Sequence, residues 1–209
     1  MYSGVMSANT SERLIEATRE LLWERGYVGT SPRAVQQAAG AGQGSMYHHF
    51  SGKPALALAA IRRTAEELRA AAERALDGDG VDGGGDNGGD GDTTAYRRIE
   101  AYLLRERDVL RGCPVGRLTM DPEVMASPEL RAPVDETLAW LRGRIAGIVQ
   151  EGVDGGEFAA SLDPEQIAAT VVATLQGGYV LARATGSPDA FDTAVRGLLA
   201  LLAPPAATD

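Results

Sequence analysis

Cysteine occurs once in this 209-residue chain, histidine twice and phenylalanine three times. The lone Cys113 excludes an intramolecular disulfide framework and suits a reducing compartment. His48 and His49 are adjacent, so their side chains diverge on a helix, and no third histidine joins them; no metal site is expected. No P-loop and no nucleophile–base–orienter set can be assembled, so no catalytic residue, cofactor or enzymatic role is expected. The first residues lack a basic start followed by an apolar run, so no secretory signal is expected and the expected location is cytoplasmic. The most apolar stretch, 167–182, carries Thr170, Thr174, Gln176 and Gly177-Gly178, and is read as a buried helix rather than a membrane span. Aromatics are only 5% of a chain rich in Ala, Leu, Arg and Glu, which favours an all-α fold. The length allows one large domain or two small ones with a real core.

Basic charge is also scarce: the net charge is −9. It is unevenly spread. Residues 1–63 hold seven Lys/Arg against four Glu, a balance of +3, which leaves thirteen basic and twenty-five acidic residues, −12, for the remainder. A small positive module on an acidic body is what a nucleic-acid reader of modest size requires.

Residues 30–53, TSPRAVQQAAGAGQGSMYHHFSGK, organise the chain. Ser31 is a good N-cap with Pro32 at the first helical position. Ala34, Val35, Ala38 and Ala39 form a small apolar stripe, and Gly40 can end the helix in the left-handed conformation. A second short helix follows from about Gln43 to Phe50, completing a helix-turn-helix whose second helix suits the DNA major groove. On it Met46 and Phe50 share the anchoring side, while His48 points nearly opposite. The outward face is small and polar. Gly44 permits close approach of a phosphate or base edge, and Gln43 and Ser45 can bond base edges. Tyr47, His48 and His49 can bond phosphate or bases, and Lys53 stands where a phosphate clamp would.

The strings GYxGTS at 26–31, Ala39-Gly40, and GSMYHHFxGK at 44–53 resemble the DNA-binding domain of TetR-family transcription regulators. Many members carry Ser-Lys where this chain has Gly42-Gln43, so a helix cap and a cationic contact are absent here. The resemblance implies a three-helix helix-turn-helix domain over 1–53 and a helical ligand-binding and dimerisation domain over 54–209. It places Thr30, Ser31, Arg33, Gln43, Gly44, Ser45, Tyr47, His48, His49 and Lys53 at the DNA. It also implies a homodimer on a pseudo-palindromic operator, repressing until a small-molecule effector binds. A DNA-binding dimer with no small-molecule ligand is the alternative, and a helical enzyme a weak one.

Before that domain, Thr10 or Ser11 caps a helix reaching Arg25, with residues 1–9 a loose tail. A long helix from Lys53-Pro54 to about Leu76 corresponds, by the resemblance, to the connecting helix. Residues 77–92 hold eight Gly and six Asp and read as a solvated linker; a calcium loop counted from Asp77 would need ligands at Val81 and Gly88. A helix is expected over 94–111 with Ile99, Tyr102, Leu103 and Leu110 inward. GCPVGRLTMD at 112–121 resembles the start of the sixth helix in the LmrA/YxaF-like subgroup, which would make the effector a planar aromatic or drug-like molecule. Cys113 within it is read as packing. Further helices are expected over 127–153, 165–184 and 188–202. By family architecture the pocket would involve Tyr102, Leu118, Met120, Val124, Trp140 and Gln176. The apolar last two helices suggest a four-helix dimer interface with Val172, Leu175, Tyr179, Leu198 and Leu201.

Overall fold

The computed structural model describes residues 3–77 and 94–204, the side chains of 3–9 excepted. Among them are α-helices and one short 3-10 turn, and no strand. The expected Gly/Asp linker, apart from Asp77, lies outside the described residues.

The chain forms two compact units, Met1–Glu67 with Cys113–Thr137, and Leu68–Gly112 with Leu138–Asp209. The first holds α1 (Ser3–Arg25), α2 (Pro32–Ala39), α3 (Gln43–His49), the start of α4 (Lys53–Leu76), the 3-10 turn (Gly116–Met120), α6 (Pro122–Ala126) and the start of α7 (Pro128–Asp154). The second holds the ends of α4 and α7 with α5 (Ala95–Leu104), α8 (Pro164–Thr185) and α9 (Asp189–Leu202). This grouping differs from a division after residue 53: the start of α4 and residues 113–137 pack with the helix-turn-helix.

In the first unit Leu14, Leu21, Leu22, Val35, Met46, Leu56 and Ile61 are buried, as are Val115, Leu118 and Val124. Arg19 of α1 pairs with Glu67 of α4, and Arg63 of α4 with Glu12 of α1 at 3.1 Å, bracing the two long helices. The second unit is built on Ile99, Tyr102 and Leu103 of α5, Leu141, Ile145 and Val149 of α7, and the facing sides of α8 and α9. Its helix ends are satisfied by acids. Asp163 caps α8 through the N–H groups of Glu165 and Gln166, and the Glu157 carboxylate takes those of Ala95 and Tyr96 at 2.8 and 3.0 Å.

Two boundaries differ from expectation. α1 starts at Ser3 rather than near Thr10. α5 stops at Leu104 rather than Arg111, because Arg105 turns extended and the Arg107 guanidinium donates to the carbonyl of Tyr102, a helix-end acceptor. Leu110, expected inward, is therefore exposed.

α8 is the one described helix long and apolar enough to cross a membrane, and it turns Ala168, Val171, Val172, Leu175 and Ala182 into the core. That corrects part of the expected dimer surface. Val172, Leu175 and Leu198 lie inside the chain's own core and offer no surface to a partner, whereas Leu201 is 86% exposed. Tyr179 is half-buried, its ring 4.9 Å from that of Phe191. The glycine pair of α8 faces two ways. A Cβ on Gly178 would meet the Phe191 ring at 2.8 Å, while Gly177 looks into open space.

A glycine elsewhere in this unit yields a paired test. A Cβ on Gly152 would lie 2.5 Å from the Phe158 ring and 2.8 Å from Ala95, whereas Gly147 on the same helix faces nothing. Gly152→Ala is expected to destabilise by about 1–3 kcal/mol through overpacking. Gly147→Ala should stabilise by about 0.5–1 kcal/mol through helix propensity. Denaturant unfolding at one fixed protein concentration reads both, and the reverse order would sink this account of the packing.

Candidate nucleic-acid interface

The interface is built on a local frame. Ser31 adopts an extended conformation and its Oγ accepts the Ala34 N–H at 3.2 Å, with Pro32 opening α2. At the other end Gly40 sits at φ 59°, its N–H on the Gln37 carbonyl at 3.3 Å and the Ala41 N–H on the Gln36 carbonyl at 2.9 Å. These two crossed bonds form a Schellman motif, which satisfies the final carbonyls of α2 and turns the chain sharply toward α3.

α3 has seven residues and starts on Gly42, where no side chain caps it, as the missing serine foretells. What holds it is Met46, fully buried, with the Gln36 amide 3.6 Å from its sulfur. Phe50, expected to share the anchor, only half-buries and ends the helix, its N–H on the Met46 carbonyl at 2.9 Å. On the opposite side Gln43, Gly44, Tyr47 and His48 are exposed, with Tyr47 at 52%. Ser45 and His49 sit half-buried at the edges, and the two imidazoles lie edge to face at 5.1 Å. Gly42 and Gly44 have nothing within 4 Å of a notional Cβ, so what their bareness admits is on the outside.

The flanking cations are disposed unevenly. Arg19, Arg25 and Arg63 are engaged by glutamates, while Arg33, Arg62 and Lys53 enter no ion pair among the described residues. The Lys53 ammonium stands 3.9 Å above the Tyr27 ring, a cation–π seat at the start of α4. Burial, then Glu123 and Asp121, push the Tyr27 phenol above its ordinary value, so this platform is uncharged at neutral pH.

One predicted contact is corrected. Thr30 is 1% exposed, and its hydroxyl donates to the Gly26 carbonyl at 2.6 Å while its N–H reaches the Tyr27 carbonyl at 3.1 Å. It closes the turn after α1 from inside and presents nothing to a ligand. Ser31 and Arg33 beside it are exposed, the former's hydroxyl oxygen already serving as the cap.

The expected effector residues fall in both units. Tyr102, Trp140 and Gln176 belong to the second unit. Leu118, Met120 and Val124 belong to the first, where Leu118 and Val124 are core and Met120 is 85% exposed.

Sequence reasoning missed Asp121. Its Oδ1 accepts the N–H groups of Glu123 and Val124, capping α6, and its Oδ2 accepts the Val28 N–H at 2.9 Å. The Arg117 guanidinium reaches the Glu24 carbonyl at 2.8 Å, and a Cβ on Gly26, at φ 73°, would stand 2.9 Å from Asp121 Oδ2. Segment 113–121 is thus sewn onto the α1–α2 turn behind the reading helix. The Asp121-Pro122 pair carried a cap signal, like Asp163-Pro164. The bond to Val28, 93 positions away, left no local trace. Cys113 in this segment accepts the Gly116 N–H at 3.2 Å, a packing role.

Replacing Asp121 by Ala strips a cap and removes the acceptor of the Val28 N–H, with an expected loss of about 1–3 kcal/mol in unfolding free energy. Asp121→Asn retains an acceptor oxygen and should lose less. Equal stability of all three proteins in denaturant titrations would remove Asp121 from this role.

Residues 14–60 match the family model described as bacterial regulatory proteins, tetR family, and residues 95–198 the one described as the tetracyclin repressor-like C-terminal domain. AcnR of Corynebacterium glutamicum, an HTH-type transcriptional repressor, is 22% identical over 185 residues, which is 88% of this chain and 87% of AcnR. The crystal structure of regulatory protein TetR from Rhodobacter sphaeroides superposes with a TM-score of 0.75 at 26% identity, covering 91% of this chain and 97% of that one. CifR, solved as a cysteine mutant on 26-bp double-strand operator DNA, gives a TM-score of 0.72 at 21% identity, covering 91% and 95%. With a helix-turn-helix head matched to one of these models and the helical remainder to the other, the chain is a DNA-binding transcription regulator of the TetR family, a family of regulators and not of enzymes.

Proposed function

We propose that this regulator is a cytoplasmic repressor that grips a pseudo-palindromic operator as a homodimer and lets go when a small molecule binds its second unit. The observation that carries the DNA contact is the two-sidedness of α3. Met46 is wholly buried while Gln43, Gly44, Tyr47 and His48 face out together. Gln43 and Ser45 read base edges; Tyr47, His48 and His49 bond phosphate or base, with Gly44 permitting close approach. Ser31, Arg33 and Lys53 flank them along the backbone.

Dimerisation is supported by what α8 and α9 leave uncovered. Val180, Leu181 and Leu201 are exposed, and Gly177 and Gly197 have no atom near a notional Cβ. Large apolar groups beside bare backbone are what helices from two copies need in order to pack closely. Two heads on a two-fold axis then meet successive major grooves, and an effector that prefers a different head spacing lowers DNA affinity by its differential affinity for the two states. Tyr102 and Trp140 in the second unit suit an effector with an apolar or aromatic body.

Lys53→Ala should weaken operator binding for every sequence and lower the salt slope by about one counterion. Tyr47→Ala should weaken it broadly as well, whereas Gln43→Ala should change the ranking among operator variants. Fluorescence titrations at several salt concentrations read all three, and three variants indistinguishable from the parent would refute the assigned face. For the dimer, Val180→Glu with Leu201→Glu is expected to give a monomer by light scattering at micromolar concentration; a dimer of unchanged strength would move the interface elsewhere.

A further inference from the structure

Of the twenty basic residues in this chain, nineteen are arginine and one, Lys53, is lysine. It opens α4, where the positive end of the helix dipole disfavours a cation, so the stability of α4 does not call for it. Its ammonium enters no ion pair among the described residues and lies 3.9 Å from the centre of the Tyr27 ring. That ring is a fixed platform. Tyr27 is 6% exposed, and the backbone on both sides of it is tied down. The Gly26 N–H reaches the Leu22 carbonyl at 2.9 Å, and the Val28 N–H reaches the Asp121 carboxylate at 2.9 Å. The Tyr27 carbonyl itself takes the Thr30 N–H at 3.1 Å. Ring, lysine and these ties all belong to the first unit.

A lysine side chain gives up rotamer freedom when a phosphate fixes its ammonium. A seat that already holds it removes part of that loss before DNA arrives. The kind of seat matters. A carboxylate would hold the ammonium and also neutralise it, as glutamates do for Arg19, Arg25 and Arg63. A ring face holds it from one side through the quadrupole, and leaves the charge and the outward N–H donors for an anion. Arginine would stack its plane on the ring, whereas lysine sets a compact point charge there, which suits a single phosphate. We propose that Tyr27 is a positioning residue for operator binding, whose ring holds Lys53 ready for a backbone phosphate without quenching its charge and keeps hold of it in the complex. This rests on the reading of Lys53 as a phosphate contact given above. Tyr27, being buried, acts only through Lys53.

A sole lysine makes the seat directly observable in the intact protein by NMR. With isotopically labelled lysine, the ε-methylene protons of Lys53 give one signal, which the ring current should place upfield of free lysine. It should stay there when operator duplex is added. A signal at the ordinary position, or one that returns to it on the operator, overturns the seat without any substitution. Operator titrations at several salt concentrations then read its effect. Tyr27→Leu should weaken binding about threefold for each head, about tenfold for a dimer on two half-sites, and should flatten the salt dependence. A head that merely folds less well would lose affinity equally at every salt concentration and keep the slope. Tyr27→Phe retains the ring and should bind as the parent does. In a Lys53→Ala background, Tyr27→Leu should change nothing further. An equal loss in both backgrounds, an unchanged slope, or a Phe variant as weak as Leu each overturn the role. Lys53→Ala binding as tightly as the parent would remove the phosphate contact and the purpose of the seat with it. A weakened Lys53→Ala beside an unaffected Tyr27→Leu would keep the contact and remove the seat alone.

Discussion

A seven-residue helix does not hold itself together in water. Nucleation is costly and so short a run gains too few internal bonds, so α3 exists only because its surroundings fix it. Gly42 gives it no side-chain cap, and Phe50 is only half-buried. Its fixed points are the Schellman turn at Gly40, which aims the chain, and Met46, which is sealed into the head. Because one apolar side chain and one turn suffice, the remaining positions are released from structural duty. They can be Gln43, Gly44, Tyr47 and His48, a set poor for stability and good for reading a polar surface.

The same head depends on a carboxylate from far along the chain. Asp121 meets three backbone N–H groups, two opening α6 and one on Val28. Hydrogen bonds to a charged acceptor are worth roughly 1.5–3 kcal/mol each, about twice a neutral pair. The residue is 7% exposed, so its carboxylate depends on these three donors more than on water. Segment 113–121 and the turn behind α3 therefore behave as one piece. This is why the head, counted by what packs with what, includes residues that the order of the chain would assign to the body.

Much of this was legible because it is local. Ser31-Pro32, Gly40 and Asp163-Pro164 mark helix ends through bonds made within three or four residues, and the structure places those ends accordingly. The two faces of α3 were legible for a similar reason, since a lone Met among polar residues has one sensible direction. Failures came where a distant or unusual partner decides. α5 ends early because the Arg107 side chain takes a carbonyl that a longer helix would have used. Thr30 reads as outward beside its cap, yet the left-handed Gly26 rotates its hydroxyl back onto the Gly26 carbonyl. On α8 the apolar character was plain, but a helix apolar nearly all round has no preferred side in the sequence. Only packing shows that Val172 and Leu175 go inward while Val180 and Leu181 do not.

Net charge is the coarsest of these readings and the one most easily misapplied. An overall −9 says nothing about any single place, because screening confines the influence of a surface carboxylate to about a Debye length. In the head the glutamates are spent on Arg19, Arg25 and Arg63, so the cations that remain matter more than the sum. In the body the sum is strongly negative, yet Arg105 and Arg107 meet aromatic faces instead of the plentiful acids. Lysine could not occupy such a seat in the same way: its ammonium is a compact, strongly hydrated point that loses more on burial. A guanidinium gives its faces to rings and keeps its edge for an acceptor, which for Arg107 is the Tyr102 carbonyl at the end of α5.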